Sequence, residues 1–187
     1  MSNSTIIYDA QEIHRAVTEM NWRQELYKEC NLEKCDRYTI NYLQRSMNMG
    51  IYRRRAQYHE TDQMGIIHHS NYIKWMEEAR IAFMGEMGFG YGEVEKRGIV
   101  SPVAGVSVSY KKPVLFDDEV EITVSVKKYN GAVLELEYEF YNATRNESCT
   151  AASSKHCFTK DGKLVSLKRE IPELDELFRK SLKGKNA

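Results

Sequence analysis

One stretch of fifteen residues, from Tyr58 to Tyr72, holds most of the groups in this chain that could do chemistry together: YHETDQMGIIHHSNY. His59, Glu60, Asp62, His68 and His69 fall within it, beside Gly65, which permits a tight turn. Ser70 or Asn71 suits the cap of a helix that follows. A carboxylate on such a loop lies near the unpaired backbone N–H groups of the helix start. Those donors and the helix dipole suit a carbonyl oxygen that is gaining negative charge. The carboxylate can attack that carbonyl, or take a proton from a water that does so. The segment therefore holds the parts for acyl transfer. Adjacent His68 and His69 do not make a metal site, because neighbouring side chains seldom converge on one ion and no third ligand is evident.

Specific elements must hold this loop. The pattern predicts a strand over 51–58 before it and a helix over 71–87 after it. Tyr72, Trp75, Met76, Ala79, Ala82, Phe83 and Met87 form one broad apolar stripe that ends at Gly88. A connector, 88–105, follows. Then Val106, Val108 and Tyr110, next Val120, Ile122, Val124 and Val126, and next Leu134, Leu136, Tyr138 and Phe140 alternate with polar residues. Period two with one wet face means antiparallel sheet. Asn130-Gly131 is a hairpin turn, and a further strand over 149–159 is closed at Asp161-Gly162. A helix more apolar than a surface helix needs to be, and a sheet to cover it, give an α+β domain.

Three regions follow: a polar, helical extension of unassigned role at 1–50, the domain at 51–170, and a short amphipathic helix and tail at 171–187. Asp9 and Glu12 have capping-box spacing, and a second extension helix is predicted over 37–47. In the last region Leu174, Leu177, Phe178 and Leu182 share a face. Lys plus Arg equals Asp plus Glu at 27 each, which argues against nucleic-acid or membrane-surface binding. The N-terminus holds no signal-peptide core and no stretch reaches membrane-span length, so the chain reads as cytoplasmic. Cys30, Cys35, Cys149 and Cys157 are then expected as free thiols. No metal and no cofactor is expected.

The pattern Tyr-x-x-x-Asp-x-x-Gly-x-x-x-His-x-x-Tyr, with Trp75-Met76-Glu77-Glu78-Ala79-Arg80 after it, resembles the signature of 4-hydroxybenzoyl-CoA thioesterase-like proteins, and among them the YbgC-type acyl-CoA thioesterases. The likeness runs over about 50–170 and includes Tyr110-Lys111-Lys112-Pro113-Val114 with Asp118. It implies a hotdog fold, a curled antiparallel β-sheet wrapped around one long central α-helix. It implies hydrolysis of acyl-CoA to free acid and CoA, with Asp62 catalytic and the backbone N–H at or beside His69 polarising the thioester carbonyl. Tyr58, Gly65, His68, Asn71, Tyr72 and Glu77 are expected around the substrate. Subunits of that family pair into a continuous sheet, which implies a homodimer or homotetramer with the site between subunits. Asp117 stands where Gly is usual, and His68 where Tyr is frequent.

Other readings of these residues stay open. Asp62 could cap a helix entry and nothing more. The His69 ring could be structural. Glu77 is a reserve carboxylate, or it holds the helix through an Arg partner. Arg53, Arg54 and Arg55 form a basic run of the kind that protects strand edges; they and Lys111-Lys112 could also meet CoA phosphates. Acyl carrier protein could replace CoA. A hotdog regulator that senses acyl-CoA through an N-terminal DNA-binding segment is the alternative function. Six Lys or Arg against seven Asp or Glu in 1–50 weigh against it. A hotdog dehydratase is a third option.

Overall fold

The computed structural model describes residues 51–184. The expected N-terminal helices, with Cys30 and Cys35, lie outside the described residues. In chain order come β1 (Ile51–Arg55), a 3-10 turn (Tyr58–Glu60), α1 (His69–Glu86), α2 (Tyr91–Lys96), β2 (Ile99–Val100), β3 (Val103–Tyr110), β4 (Glu119–Tyr129), β5 (Val133–Asn142), β6 (Glu147–Cys157), β7 (Thr159–Lys160), β8 (Lys163–Leu164), α3 (Leu167–Glu170) and α4 (Pro172–Gly184). The main sheet is antiparallel and five-stranded, in the order β1-β4-β5-β6-β3. A small sheet, β2-β7-β8, stands apart from it.

Alternation decides which face is covered. Val120, Ile122, Val124 and Val126 of β4, and Leu134, Leu136, Tyr138 and Phe140 of β5, are buried against Trp75, Met76, Ala79 and Phe83 of α1. Each such aliphatic side chain contributes roughly 1.5–3 kcal/mol of transfer free energy. A one-residue slip would turn the whole set to solvent, so the apolar pattern pins the register. At the β4–β5 turn Asn130 Oδ1 accepts from the N–H groups of Ala132 and Val133, at 3.0 and 2.8 Å, while Gly131 takes φ 99°. This is the hotdog arrangement, one long helix laid against an antiparallel sheet.

Several element bounds differ from expectation. β1 stops at Arg55, because the chain turns at Tyr58–Glu60. The connector after α1 is partly ordered as α2 and β2. The expected strand over 149–159 begins earlier, at Glu147, and breaks after Cys157. α4 packs Leu174 and Phe178 fully into the same core, with Phe178 against Tyr129 and Phe158. Asp175, held by Arg179 at 2.8 Å, accepts from Tyr129 Oη at 2.8 Å and fastens α4 to the end of β4. Asp117 has φ 70°, a left-handed conformation that explains why glycine suits this place.

One strand departs from the alternation. In β3 only Val108 is half-buried, and Val106 and Tyr110 are exposed although their register puts them on the helix side of the sheet. The strand is an edge, and α1 meets it at its first turn, where His69 and Tyr72 touch Tyr110. α1 itself exposes Ile73, Glu77 and Ile81.

Candidate functional site

The Asp62 loop is a small hairpin tied to the start of α1. Asp62 N–H donates to the Ile66 carbonyl at 2.9 Å and Gly65 N–H to the Asp62 carbonyl at 3.0 Å. Gly65 has φ 75°, which a side chain would strain. Thr61 bridges Ile67, and Ile66 bridges Leu115. The Asp62 carboxylate accepts the Met64 N–H on Oδ1 at 2.8 Å. Asp62 is half-buried, so its other oxygen can meet a ligand while the first holds the turn.

Beneath the loop sits an anchor. Glu60 is 5% exposed. Its carboxylate accepts from Arg54 Nη2 at 2.7 Å, from Trp75 Nε1 at 2.8 Å and from the Gln57 N–H at 2.8 Å. Its backbone carbonyl accepts from His68 N–H at 2.9 Å and from Asn71 Nδ2 at 2.8 Å. One residue therefore ties the strand, the loop and the helix start. Arg54 also reaches Glu78 at 2.6 Å and lies 4.5 Å from the Trp75 ring centre. The basic run of β1 thus splits by strand parity. Arg54 turns inward, while Arg53 and Arg55 pair outside with Glu121, Asp117 and Glu119.

The helix start differs from expectation. His68, not Ser70 or Asn71, is the cap, and its Nδ1 accepts from Ser70 N–H at 3.3 Å. Asn71 is unavailable for capping because its amide is drawn inward to Glu60. α1 consequently begins at His69. Among the described residues the His69 N–H makes no hydrogen bond, as the first N–H of a helix should not. Its carbonyl accepts from Tyr110 Oη at 3.1 Å, which joins the loop to β3. The His68 and His69 rings lie 4.0 Å apart, centre to centre.

The remaining candidates spread over three environments. Tyr58 is exposed, with its ring edge on Phe116 at 5.7 Å. Tyr72 is buried among Trp75, Tyr110 and Phe140, and burial raises its phenol above the usual value. Glu77 is exposed on α1, its Oε1 3.9 Å from Arg80 Nη2. The sequence reading named Glu60 and Asp118 but assigned neither a role. Asp118 is buried and accepts from Leu115 N–H, Asn142 Nδ2 and Arg145 Nε at 2.9, 2.8 and 3.0 Å. Burial alone would push its carboxyl up, but those three donors hold it below its usual value. An Asp beside a Pro-containing turn was the available signal. Among the described residues no cluster of three His, Cys, Asp or Glu could hold a metal ion, and no helix is long and apolar enough to cross a membrane.

Comparison with known proteins is consistent with this geometry. The pattern of the thioesterase-like superfamily matches residues 56–181. The chain is 36% identical over 129 residues to Bacillus subtilis YneP, whose name gives acyl-CoA thioesterase as a provisional activity. That match covers 68% of this chain and 94% of YneP. A DHNA-CoA thioesterase from Staphylococcus aureus superimposes with a TM-score of 0.70 at 34% identity, over 74% of this chain and 95% of that one. The gentisyl-coenzyme A thioesterase BH1999 superimposes with a TM-score of 0.62 at 26% identity, covering 68% and 98%.

Proposed function

This chain belongs to the thioesterase-like superfamily, and from that premise we propose that it hydrolyses an acyl-CoA thioester to the free acid and CoA with Asp62 as its catalytic carboxylate. The observation that carries the residue assignment is the pairing of a pinned carboxylate with an unused donor. Asp62 is fixed through Oδ1 on a loop tied to the helix start, and the His69 N–H there has no partner among the described residues.

In the reading with Asp62 as general base, its free oxygen takes a proton from water as the water oxygen attacks the thioester carbon. The carbonyl oxygen becomes an oxyanion, stabilised by the His69 N–H and the helix dipole. Collapse breaks the C–S bond, and the CoA thiolate leaves with a proton from Asp62. In the reading with Asp62 as nucleophile, the same oxygen attacks the thioester carbon and expels the CoA thiolate, and water then opens the resulting acyl anhydride to the free acid and Asp62. His69 acts here through its backbone, so its ring is not required. Tyr58, Phe116 and Met64 give the loop an exposed apolar rim for the thioester arm of the substrate.

The oligomeric reading rests on β3. An edge strand with Val103, Val106 and Tyr110 exposed is a template for a second copy. Isologous pairing through β3 would extend the sheet and bring the exposed Ile73 and Ile81 of α1 against a partner.

The test is thiol release from a panel of acyl-CoA esters. Asp62→Asn keeps an oxygen for the Met64 N–H, so the turn should persist. It lacks a charge able to attack or to accept a proton, and turnover should fall about 10²–10⁴-fold or more. Full activity in a folded Asp62→Asn protein removes Asp62 from the mechanism and promotes Glu77. Tight acyl-CoA binding with no thiol release by the wild type would instead favour a sensor.

A further inference from the structure

A trough runs along α1 away from the Asp62 loop, and its far end holds a charge without a hydrogen-bond acceptor. Registers set Val106, Val108 and Tyr110 of β3 beside Ser154, Ala152 and Thr150 of β6. The same β6 residues pair with the inward Leu136, Tyr138 and Phe140 of β5. All therefore lie on the sheet face that carries α1. The helix covers β5 and leaves β3 open, so the space between α1 and β3 is floored by Val106, Val108 and Ala152. Its near end is marked by the contact of Tyr110 Oη with the His69 carbonyl. β3 runs antiparallel to the direction of α1, so its far end faces the third turn of the helix, at Arg80.

Arg80 is 5% exposed. Its guanidinium lies over the Tyr91 ring at 4.9 Å, and the nearest carboxylate oxygen is Glu77 Oε1 at 3.9 Å, too far for a hydrogen bond. Among the described residues the guanidinium makes no hydrogen bond. Its nitrogens are not among the buried atoms that lack a partner, so the little surface Arg80 exposes is at its donors, which are open to an acceptor arriving from solvent. Its charge acts on both ends of a short polar chain: Tyr138 Oη to Ser154 Oγ at 2.9 Å, and Ser154 Oγ to His156 Nε2 at 2.7 Å. Burial, and then Arg80 itself, lower His156 to about 4, so the ring is neutral near pH 7 and leaves Arg80 as the one charge of the group. Among the described residues the buried carboxylates are Glu60, Asp118 and Asp175, and each is paired with another arginine. The thioester chemistry at Asp62 does not use this cluster, which is eleven residues of helix away, about 16 Å at 1.5 Å per residue. The arginine stem leans back toward the helix N-terminus and shortens that span.

We infer that Arg80, with Ser154 and Tyr138 beside it, forms a subsite that binds an anionic oxygen group, such as a carboxylate, at the far end of the acyl chain. This rests on the reading of Asp62 as the thioester end of the same trough. The substrate class would then be CoA monothioesters of dicarboxylic acids or of other acids with an anionic oxygen at the far end. The apolar trough takes the methylenes, and Arg80 takes the charge, for which a guanidinium is suited by its planar fork.

Binding is separable from turnover. The full-length protein would be titrated calorimetrically with non-hydrolysable thioether analogues of CoA, in matched pairs that end in carboxylate or methyl, from hexanedioyl and hexanoyl to dodecanedioyl and dodecanoyl. The wild type should favour the carboxylate-ended analogue by about 10–100-fold at its best length, the yield of one charged hydrogen-bonded contact. In Arg80→Met the two affinities should converge, and in Ser154→Ala the preference should shrink by a smaller factor. No preference at any length in the wild type overturns the subsite. So does an equal weakening of both analogues by Arg80→Met, which marks a structural arginine or one that meets a partner subunit. Should Arg80→Met fail to fold, an undiminished preference in Ser154→Ala overturns it. Thiol release from the matching thioesters, measured in parallel, keeps the two readings apart. A preference without hydrolysis refutes the hydrolase alone, and hydrolysis without a preference refutes the subsite alone.

Discussion

Replacing Glu60 should damage both the fold and the reaction, although Glu60 faces away from solvent and takes no part in the chemistry. Its carboxylate receives three donors, Arg54, Trp75 and the Gln57 N–H, at 2.7–2.8 Å. Breaking a buried ion pair from one side typically costs about 3–5 kcal/mol. Arg54 keeps Glu78 at 2.6 Å, so its charge is not stranded, and Glu60→Ala should fall at the lower end, roughly 3 kcal/mol. Glu60→Gln keeps an acceptor for one donor and sets an amide N–H₂ against another, so about 1–2 kcal/mol is expected. Combined with Arg54→Met, Glu60→Gln should cost less than the sum of the two single changes, by about 1–2 kcal/mol, because the pair acts as a unit. The loop that carries Asp62 starts two residues after Glu60, and a displacement near 1 Å can cost on the order of 10²-fold in rate. Urea denaturation gives the stabilities, and thiol release at a temperature where each variant is folded gives the rates. If Glu60→Ala lies within about 0.5 kcal/mol of wild type with an unchanged rate, the loop is held elsewhere and this account of the anchor fails.

Other outcomes follow from the same contacts. His156 titrates near 4 when folded against about 6.5 unfolded, so the unfolded chain binds the proton first as pH falls. Its contribution is fully present above about pH 6.5 and is lost progressively down to about pH 4, on the order of 3 kcal/mol in all. In His156→Asn the difference between melting temperatures at pH 7 and pH 5 should shrink; an undiminished difference would place the acid sensitivity in other groups. Val106→Lys puts a charge on the exposed edge strand and should weaken self-association at least tenfold in analytical ultracentrifugation, by like-charge juxtaposition across a two-fold. A wild-type protein that is monomeric and active at assay concentration would refute the paired-edge reading.

Much of the architecture can be read from order and period alone. Alternating Val and Ile in β4 and alternating Leu, Tyr and Phe in β5 declare one buried face, and Asn130-Gly131 declares the turn between them. Those signals are local: a strand's period and a turn's positive φ are properties of a few consecutive residues. The Asp62 loop was legible for the same reason, since Asp62, Gly65 and the helix start lie within one short segment. What the sequence alone could not decide was the use of each polar group. Strand parity turned Arg54 inward and its neighbours outward, although all three read as one basic run. Asn71 became a brace for Glu60, and His68 took the cap, because the competition for a carbonyl depends on which groups fold together. Arg80, on α1, and His156, on β6, are 76 positions apart, and nothing in their neighbours in the chain foretold that packing would bury both within reach of one another. Local spacing sets periodicity and turns; which buried charge finds a partner, and which is left facing an open trough, is decided only when helix and sheet close on each other, because the cost of an unpaired group is set by its surroundings.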